Sequence, residues 1–203
     1  MTEGFLRDVT AMTSLPIILA SALQRLDPSA SFSGHAPRVI SSSGKMYYVK
    51  LGSTSEVEQF AGEASCLKVF SAISPGIAPK VLSHNVDKNS GRPYMISDYL
   101  DVGGRLDDKA AKVLAKRLAL EVHGHTSENG MYGFDVPTFC GTTRFDYKWC
   151  NTWDKAFGGM IESLLERIET GGGGDTELFR MGKEVVNRWV TSLLVINISS
   201  FIL

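Results

Sequence analysis

The chain has 203 residues, 43% of them hydrophobic and 21% charged, with 21 basic against 22 acidic side chains. A chain of this size buries a real core as one domain or two small lobes, and its balanced charge offers no basic surface for nucleic acid or for a membrane. The three cysteines, Cys66, Cys140 and Cys150, have no Cys-x-x-Cys spacing and fit reduced thiols better than a disulfide framework or a zinc site, so a cytoplasmic protein is expected.

The opening "MTEGFLRDVT" carries acids early and lacks the basic-then-apolar order of a signal peptide. In "TSLPIILASALQRL", Leu15, Ile18, Leu19, Ala22, Leu23 and Leu26 share one helical face, with Ser14 as the expected cap and Pro16 in the first turn. "DPSASFSGHAP" reads as turn and loop, and "RVISSSGKMYYVKL" as a hairpin around a Ser/Gly turn. In its second strand Met46, Tyr48 and Lys50 share one face, while Tyr47, Val49 and Leu51 share the other. A helix of about five turns is predicted from near Ser55. A proline-punctuated loop then leads to a strand in "KVLSHNV" and a buried strand over Pro93–Ser97, followed by a glycine-rich exit.

The second half is helical and irregular by turns. "DDKAAKVLAKRLALEVHGHT" predicts a helix with Ala110, Val113, Leu114, Leu118 and Val122 inward. The Gly- and aromatic-rich stretch that follows is too long for a bland loop, which marks it as a functional segment. Phe157, Met160, Ile161, Leu164, Leu165 and Ile168 have clean helical spacing. "TGGGGDT" is a flexible break, a last helix is expected over 177–190, and "TSLLVINISSFIL" carries no charge.

Two charges stand where apolar residues are favoured. Lys50 ends an apolar strand pattern, and Glu63 shares a helix face with Phe60 and Leu67. An unpaired carboxylate on an inward face costs several kcal/mol, so either the helix presents Glu63 at its rim or a cation meets it. Strand-end lysines are commonly solvated, and the two readings stay open on spacing alone. A strand ending in Val-Lys, a short loop and a helix carrying a glutamate is also the order protein kinases use to hold ATP phosphates.

The blocks "YYVKL", "FAGEASCLKVF", "PYMISDYLDVGGRL", "LALEVHGHTSENGMYGF" and "CGTTRFDYKWCNTWDKAF" resemble the fructosamine kinase (ketosamine-3-kinase, protein-ribulosamine 3-kinase) family over roughly Gly34 to Gly171. The resemblance implies an α+β, protein-kinase-like fold: a small antiparallel-sheet N-lobe over 1–100 and an incomplete helical C-lobe over 101–190. It implies ATP and Mg²⁺ as cofactors, a glycated protein or small ketosamine as partner, and phosphorylation of the sugar O3 in deglycation repair. By the same resemblance Lys50 is the phosphate-binding lysine and Glu63 its helix partner. Asp98 and Leu100 offer a backbone carbonyl and amide to adenine. The nucleotide-covering loop falls in "SFSGHAPR", where Gly34 is what remains of the glycine pattern. His123 matches a helix-end histidine, with His125 incidental beside it. Histidines two apart on a helix point away from each other and make a poor metal site. Trp149 and Trp153 read either as part of a sugar-facing wall or as core.

The family's His-Gly-Asp-Leu-Trp-x-Gly-Asn segment, with its catalytic and Mg²⁺-binding groups, does not occur in these 203 residues. We therefore expect 191–203 to be an aberrant apolar tail foreign to the family pattern, arising from a retained intron, a frameshift or a misplaced gene boundary. The chain as written is expected to show little or no kinase activity, with apolar faces near Leu164, Leu165 and Val185 partly bare. A catalytically inactive nucleotide binder and a non-enzymatic interaction module are the alternative readings.

Overall fold

The computed structural model describes residues 15–171 and 176–190, which divide into two compact units. Within the described residues the first unit runs to Ser71 and resumes from Gly76 to Gly103. The second takes Ala72–Pro75 and everything from Gly104 onward. The expected α+β class is present, with an antiparallel sheet in the first unit and helices dominating the second. The tail 191–203, Ser14 and residues 172–175, which hold most of the four-glycine run, lie outside the described residues. No helix among the described residues is long and apolar enough to cross a membrane.

The first unit opens with α1 (Ile17–Leu26). Its cap position belongs to Pro16, so the proline precedes the helix instead of standing in its first turn. The Pro16 carbonyl accepts the Ala20 N–H at 3.0 Å, which opens the helical ladder. Five strands follow: β1 (Phe32–His35), β2 (Arg38–Ser41), β3 (Met46–Leu51), β4 (Val81–Val86) and β5 (Pro93–Asp98). They form an antiparallel sheet in the order β1-β2-β3-β5-β4. Helix α2 (Val57–Ile73) joins β3 to β4.

Strand β1 corrects the sequence reading, which makes that stretch a loop. "FSGH" has no apolar alternation to announce a strand, because it is an edge strand with Ser33, Gly34 and His35 exposed. Pairing supplies what the pattern lacks: Gly34 opposes Val39, and the Ala36–Pro37 turn, with a cis bond, closes the hairpin between His35 and Arg38. Gly34 has φ +98, and a Cβ there would lie 2.8 Å from the Arg38 carbonyl oxygen.

The sheet has two different faces. On one, Leu19, Leu23, Val39, Tyr47, Val49 and Ile96 form a continuous core with α1. On the other, Phe60 and Ala64 of α2 pack on Met95, with Leu67 and Val81 at the margin. Strand β5 serves both, which explains why Pro93 to Ser97 is buried throughout, as expected from its apolar run.

In the second unit, α3 (Asp108–Arg117) starts at Asp107, whose carboxylate accepts the Ala110 N–H at 2.7 Å. The helix widens into a π-turn at Leu118–Val122, where the His123 N–H reaches the Leu118 carbonyl. The expected inward face is found only in its second half, at Leu118 and Val122. Ala110, Val113 and Leu114 are exposed, Val113 at 53%, whereas Ala111, Arg117, Leu118 and Val122 are half-buried. An apolar stripe shows which face can be covered; whether it is covered depends on its neighbours.

Arg117 organises this region. It is bidentate to Glu121, donates to the Ser74 hydroxyl at 2.6 Å and reaches the Pro75 carbonyl at 2.9 Å. The fully buried Ser74 in turn donates to Glu121, whose carboxyl is held below its ordinary pKa chiefly by the Arg117 hydrogen bonds.

Helices α4 (Trp153–Thr170) and α5 (Thr176–Val185) end the described chain together with a π-turn at Val186–Val190. Their contact runs over glycines: Gly158 faces Val186 and Val190, and a Cβ on Gly182 would sit 2.6 Å from Leu165. Leu165 is thereby 7% exposed, against the expectation that it is partly bare, while Val185 stays 49% exposed.

Two outcomes follow from this packing. Leu23→Ala should lower stability by about 2–5 kcal/mol in urea denaturation, whereas Val113→Ser should stay within about 0.5 kcal/mol. His84 on β4 has a buried Nε2 with no hydrogen-bond partner among the described residues; burial first, and the Lys68 charge second, hold its pKa below 6.5. The unfolded chain therefore binds this proton first, so the His84 contribution is intact above pH 6.5 and is lost as pH falls below it. Melting curves at neutral and mildly acidic pH should show a smaller acid loss in His84→Gln than in the wild type.

Candidate functional site

The register of β3 against β5 sets Lys50 opposite Met95 and Val49 opposite Ile96. Val49 thus enters the α1 core, while Lys50 emerges on the α2 face beside Met95. After Leu51 the chain turns at Gly52, whose N–H donates to the Pro93 carbonyl at 2.9 Å and whose carbonyl accepts from Arg92 Nε at 2.8 Å. A Cβ at Gly52 would come within 2.7 Å of the Phe60 ring and 2.9 Å of Pro93, so only glycine lets α2 approach the sheet this closely.

A 3₁₀ turn at Thr54–Glu56 then leads into α2. The Glu56 carboxylate accepts the Ser53 N–H at 2.7 Å and the Ser53 hydroxyl at 2.8 Å, which fixes the start of the helix. Those bonds, the backbone one first, lower the Glu56 pKa.

With its start fixed and Phe60 docked, α2 delivers Glu63 to Lys50. The ammonium Nζ lies 2.6 Å from Glu63 Oε2 and 4.6 Å from the centre of the Phe60 ring. The carboxylate on the apolar face therefore meets a cation, and the strand-end lysine is not left to solvent. Sequence reading noted that Phe60 and Glu63 share a face but missed the third member of the contact, the Phe60 ring beneath the ammonium. The spacing of Phe60 three residues before Glu63 was the available signal.

Asp98 closes β5, opposite Tyr47, and its N–H donates to the Lys80 carbonyl at 3.0 Å. Its own carbonyl accepts from the Ser97 hydroxyl at 3.3 Å. Leu100 follows two residues on and is exposed. Gly34 stands beside the β1–β2 turn.

Cys66, one turn beyond Glu63 on α2, is half-buried. Burial first, then the Glu63 charge, push its thiol pKa up, which leaves it a poor nucleophile at neutral pH.

Trp149 and Trp153 belong to the second unit. Tyr132 forms an antiparallel bridge to Cys150, and the next residue, Gly133, packs so closely on Trp149 that a Cβ would be 2.9 Å from its Cα. The Trp149 indole N–H donates to Asp135 Oδ1 at 2.9 Å. Trp153 opens α4, with its ring 6.0 Å from Tyr132 and 5.6 Å from Phe157. The intervening segment, irregular in sequence, holds a short hairpin of β6 (Thr138–Cys140) and β7 (Thr143–Phe145). His123 is exposed at the end of the π-turn, and His125 is half-buried. Among the described residues no cluster of His, Cys, Asp and Glu is suited to hold a metal ion.

The sequence model for "Fructosamine kinase" matches residues 25–193. This chain belongs to the fructosamine kinase family. A solved structure from Haemophilus somnus 129PT, named "Putative fructosamine-3-kinase", superposes with a TM-score of 0.64 at 17% sequence identity. The match covers 84% of this chain and 61% of that one, so the chain spans less than two thirds of its structural neighbour. At that identity the likeness concerns the fold, which is protein-kinase-like. Among proteins of curated function, none matches the sequence.

The Lys50 and Glu63 side chains are 33% and 36% exposed, which screens their attraction. Glu63→Gln should accordingly change unfolding stability by less than about 1 kcal/mol, measured by urea denaturation at neutral pH. A much larger loss would make the pair a structural element first.

Proposed function

We propose that this member of the fructosamine kinase family binds ATP through Lys50, Glu63 and the end of β5, and that its family reaction is phosphorylation of a ketosamine at the sugar O3. The observation that carries the reading is the 2.6 Å contact between Lys50 and Glu63 on the α2 face of the sheet. An ammonium has three donors, and Glu63 engages one of them while fixing the flexible stem; the others suit phosphate oxygens. A free lysine would lose rotamer entropy on binding a triphosphate, and the carboxylate and the Phe60 ring meet that cost in advance. Bound ATP supplies the phosphoryl group. In this reading the backbone carbonyl of Asp98 and the N–H of Leu100 read the adenine edge, as the family resemblance implies. Trp149 and Trp153 supply aromatic surface for the sugar, with Trp149 oriented by its bond to Asp135. A glycated protein or a small ketosamine is the partner this chemistry requires.

The family reaction implies Mg²⁺ alongside ATP, and among the described residues no group of three or more His, Cys, Asp and Glu side chains gathers into a ligand set. No step is assigned to it here. A His-Gly-Asp segment does not occur within these 203 residues, so a second reading is that this stretch by itself binds nucleotide without turning it over.

The two readings separate in a paired experiment. Saturating ATP should raise the stability of the wild type by about 1 kcal/mol or more in thermal melting, and Lys50→Met should remove the shift. Absence of any shift in the wild type, or a full shift in Lys50→Met, would sink the nucleotide reading. Turnover of ATP with a ketosamine in the same preparation selects the kinase; binding without turnover selects the inactive binder.

A further inference from the structure

The chain leaves β5 at Asp98 and runs through Tyr99 and Leu100 to Gly103. A short exit of this kind, with exposed Leu100 and Val102 and a glycine at its end, has little packing of its own. Three contacts nevertheless converge on Tyr99. Its N–H points to the Met46 carbonyl of β3 at 3.5 Å. The Arg38 guanidinium of β2 lies over its ring, 5.2 Å from the centre. Arg38 Nη2 also reaches the Met46 sulfur at 3.4 Å, so one arginine contacts both the Met46 side chain and the Tyr99 ring. Asp101 then accepts the Gly103 N–H at 3.1 Å and shapes the next turn.

Arg38 is exposed and stands on a strand where solvation is the ordinary fate of an arginine. Its contacts lead instead to the one residue that separates Asp98 from Leu100. Holding the Tyr99 ring restrains the two peptide groups on either side of it, which in the nucleotide reading above carry the carbonyl and N–H offered to the base. We propose that Arg38 is a positioning residue for base recognition, clamping Tyr99 so that the flanking Asp98 carbonyl and Leu100 N–H are set for a purine edge before the nucleotide arrives. This rests on the nucleotide reading above. It divides the labour within the first unit: Lys50 and Glu63 hold phosphate, and Arg38 with Tyr99 governs the base.

The division is measurable by comparing ATP with ribose 5′-triphosphate, which keeps the phosphates and lacks the base, in titration calorimetry on the full chain. Arg38→Ala and Tyr99→Leu should weaken ATP binding by about two- to fivefold, the range of an exposed cation–π contact, and leave ribose 5′-triphosphate unchanged. Tyr99→Phe keeps the ring and should bind both ligands as the wild type does. Unchanged phosphate-side binding also shows that each variant is folded. An equal loss for both ligands, or no loss for ATP, overturns the role of Arg38 and leaves the nucleotide reading standing. A wild type that binds neither ligand overturns both.

Discussion

The first unit is built around one ion pair. For Lys50 and Glu63 to meet at 2.6 Å, the β3–β5 register must put Lys50 on the α2 face, and α2 must start at a fixed point and lie close to the sheet. Each condition has its own residue: Met95 opposite Lys50, the Ser53–Glu56 contact at the entry to α2, and Gly52 between Phe60 and Pro93. A slip of one residue in β3 would turn Lys50 into the α1 core and Val49 out of it. The pair is thus a read-out of correct assembly more than a source of stability, since a half-exposed salt bridge contributes little net free energy.

The apolar clusters on the two sheet faces explain how such a pair is tolerated. The α1 face is sealed, with Leu19, Leu23, Val39 and Ile96 completely covered. The α2 face is a smaller cluster of Phe60, Ala64 and Met95, and the charges stand at its edge with partial access to water. One face therefore carries the cohesion of the sheet and leaves the other free to hold polar chemistry. Placing both charges at the margin of a small cluster avoids the large desolvation cost of a fully buried pair.

The second unit relies on close backbone approach and side-chain bonds. Gly158 and Gly182 let α4 meet α5 and the turn that follows it, and Arg117 gathers Ser74, Pro75 and Glu121 into one polar knot. Tyr132 and Gly133 hold the Trp149 segment from one side, and Trp153 carries the aromatic packing into α4. Exposed apolar residues on α3, such as Val113 and Leu114, show that this cohesion is local.

By itself the sequence determined the elements whose signals are local. The alternation in "MYYVKL", the apolar run in "PYMIS" and the helical spacing in "WDKAFGGMIESLLERIE" all correspond to elements of the fold. Its strand–loop–helix order also suggested Lys50 and Glu63 as a pair, although spacing alone did not decide between rim and pairing. Other features needed neighbours. Strand β1 exists because β2 pairs with it, the covered side of α3 follows its contacts and not its stripe, and Arg38 finds Tyr99 across 61 residues of chain. The physical reason is common to all of them: periodicity records which groups avoid water, whereas pairing, coverage and ring contacts depend on groups that meet only when distant segments are brought together.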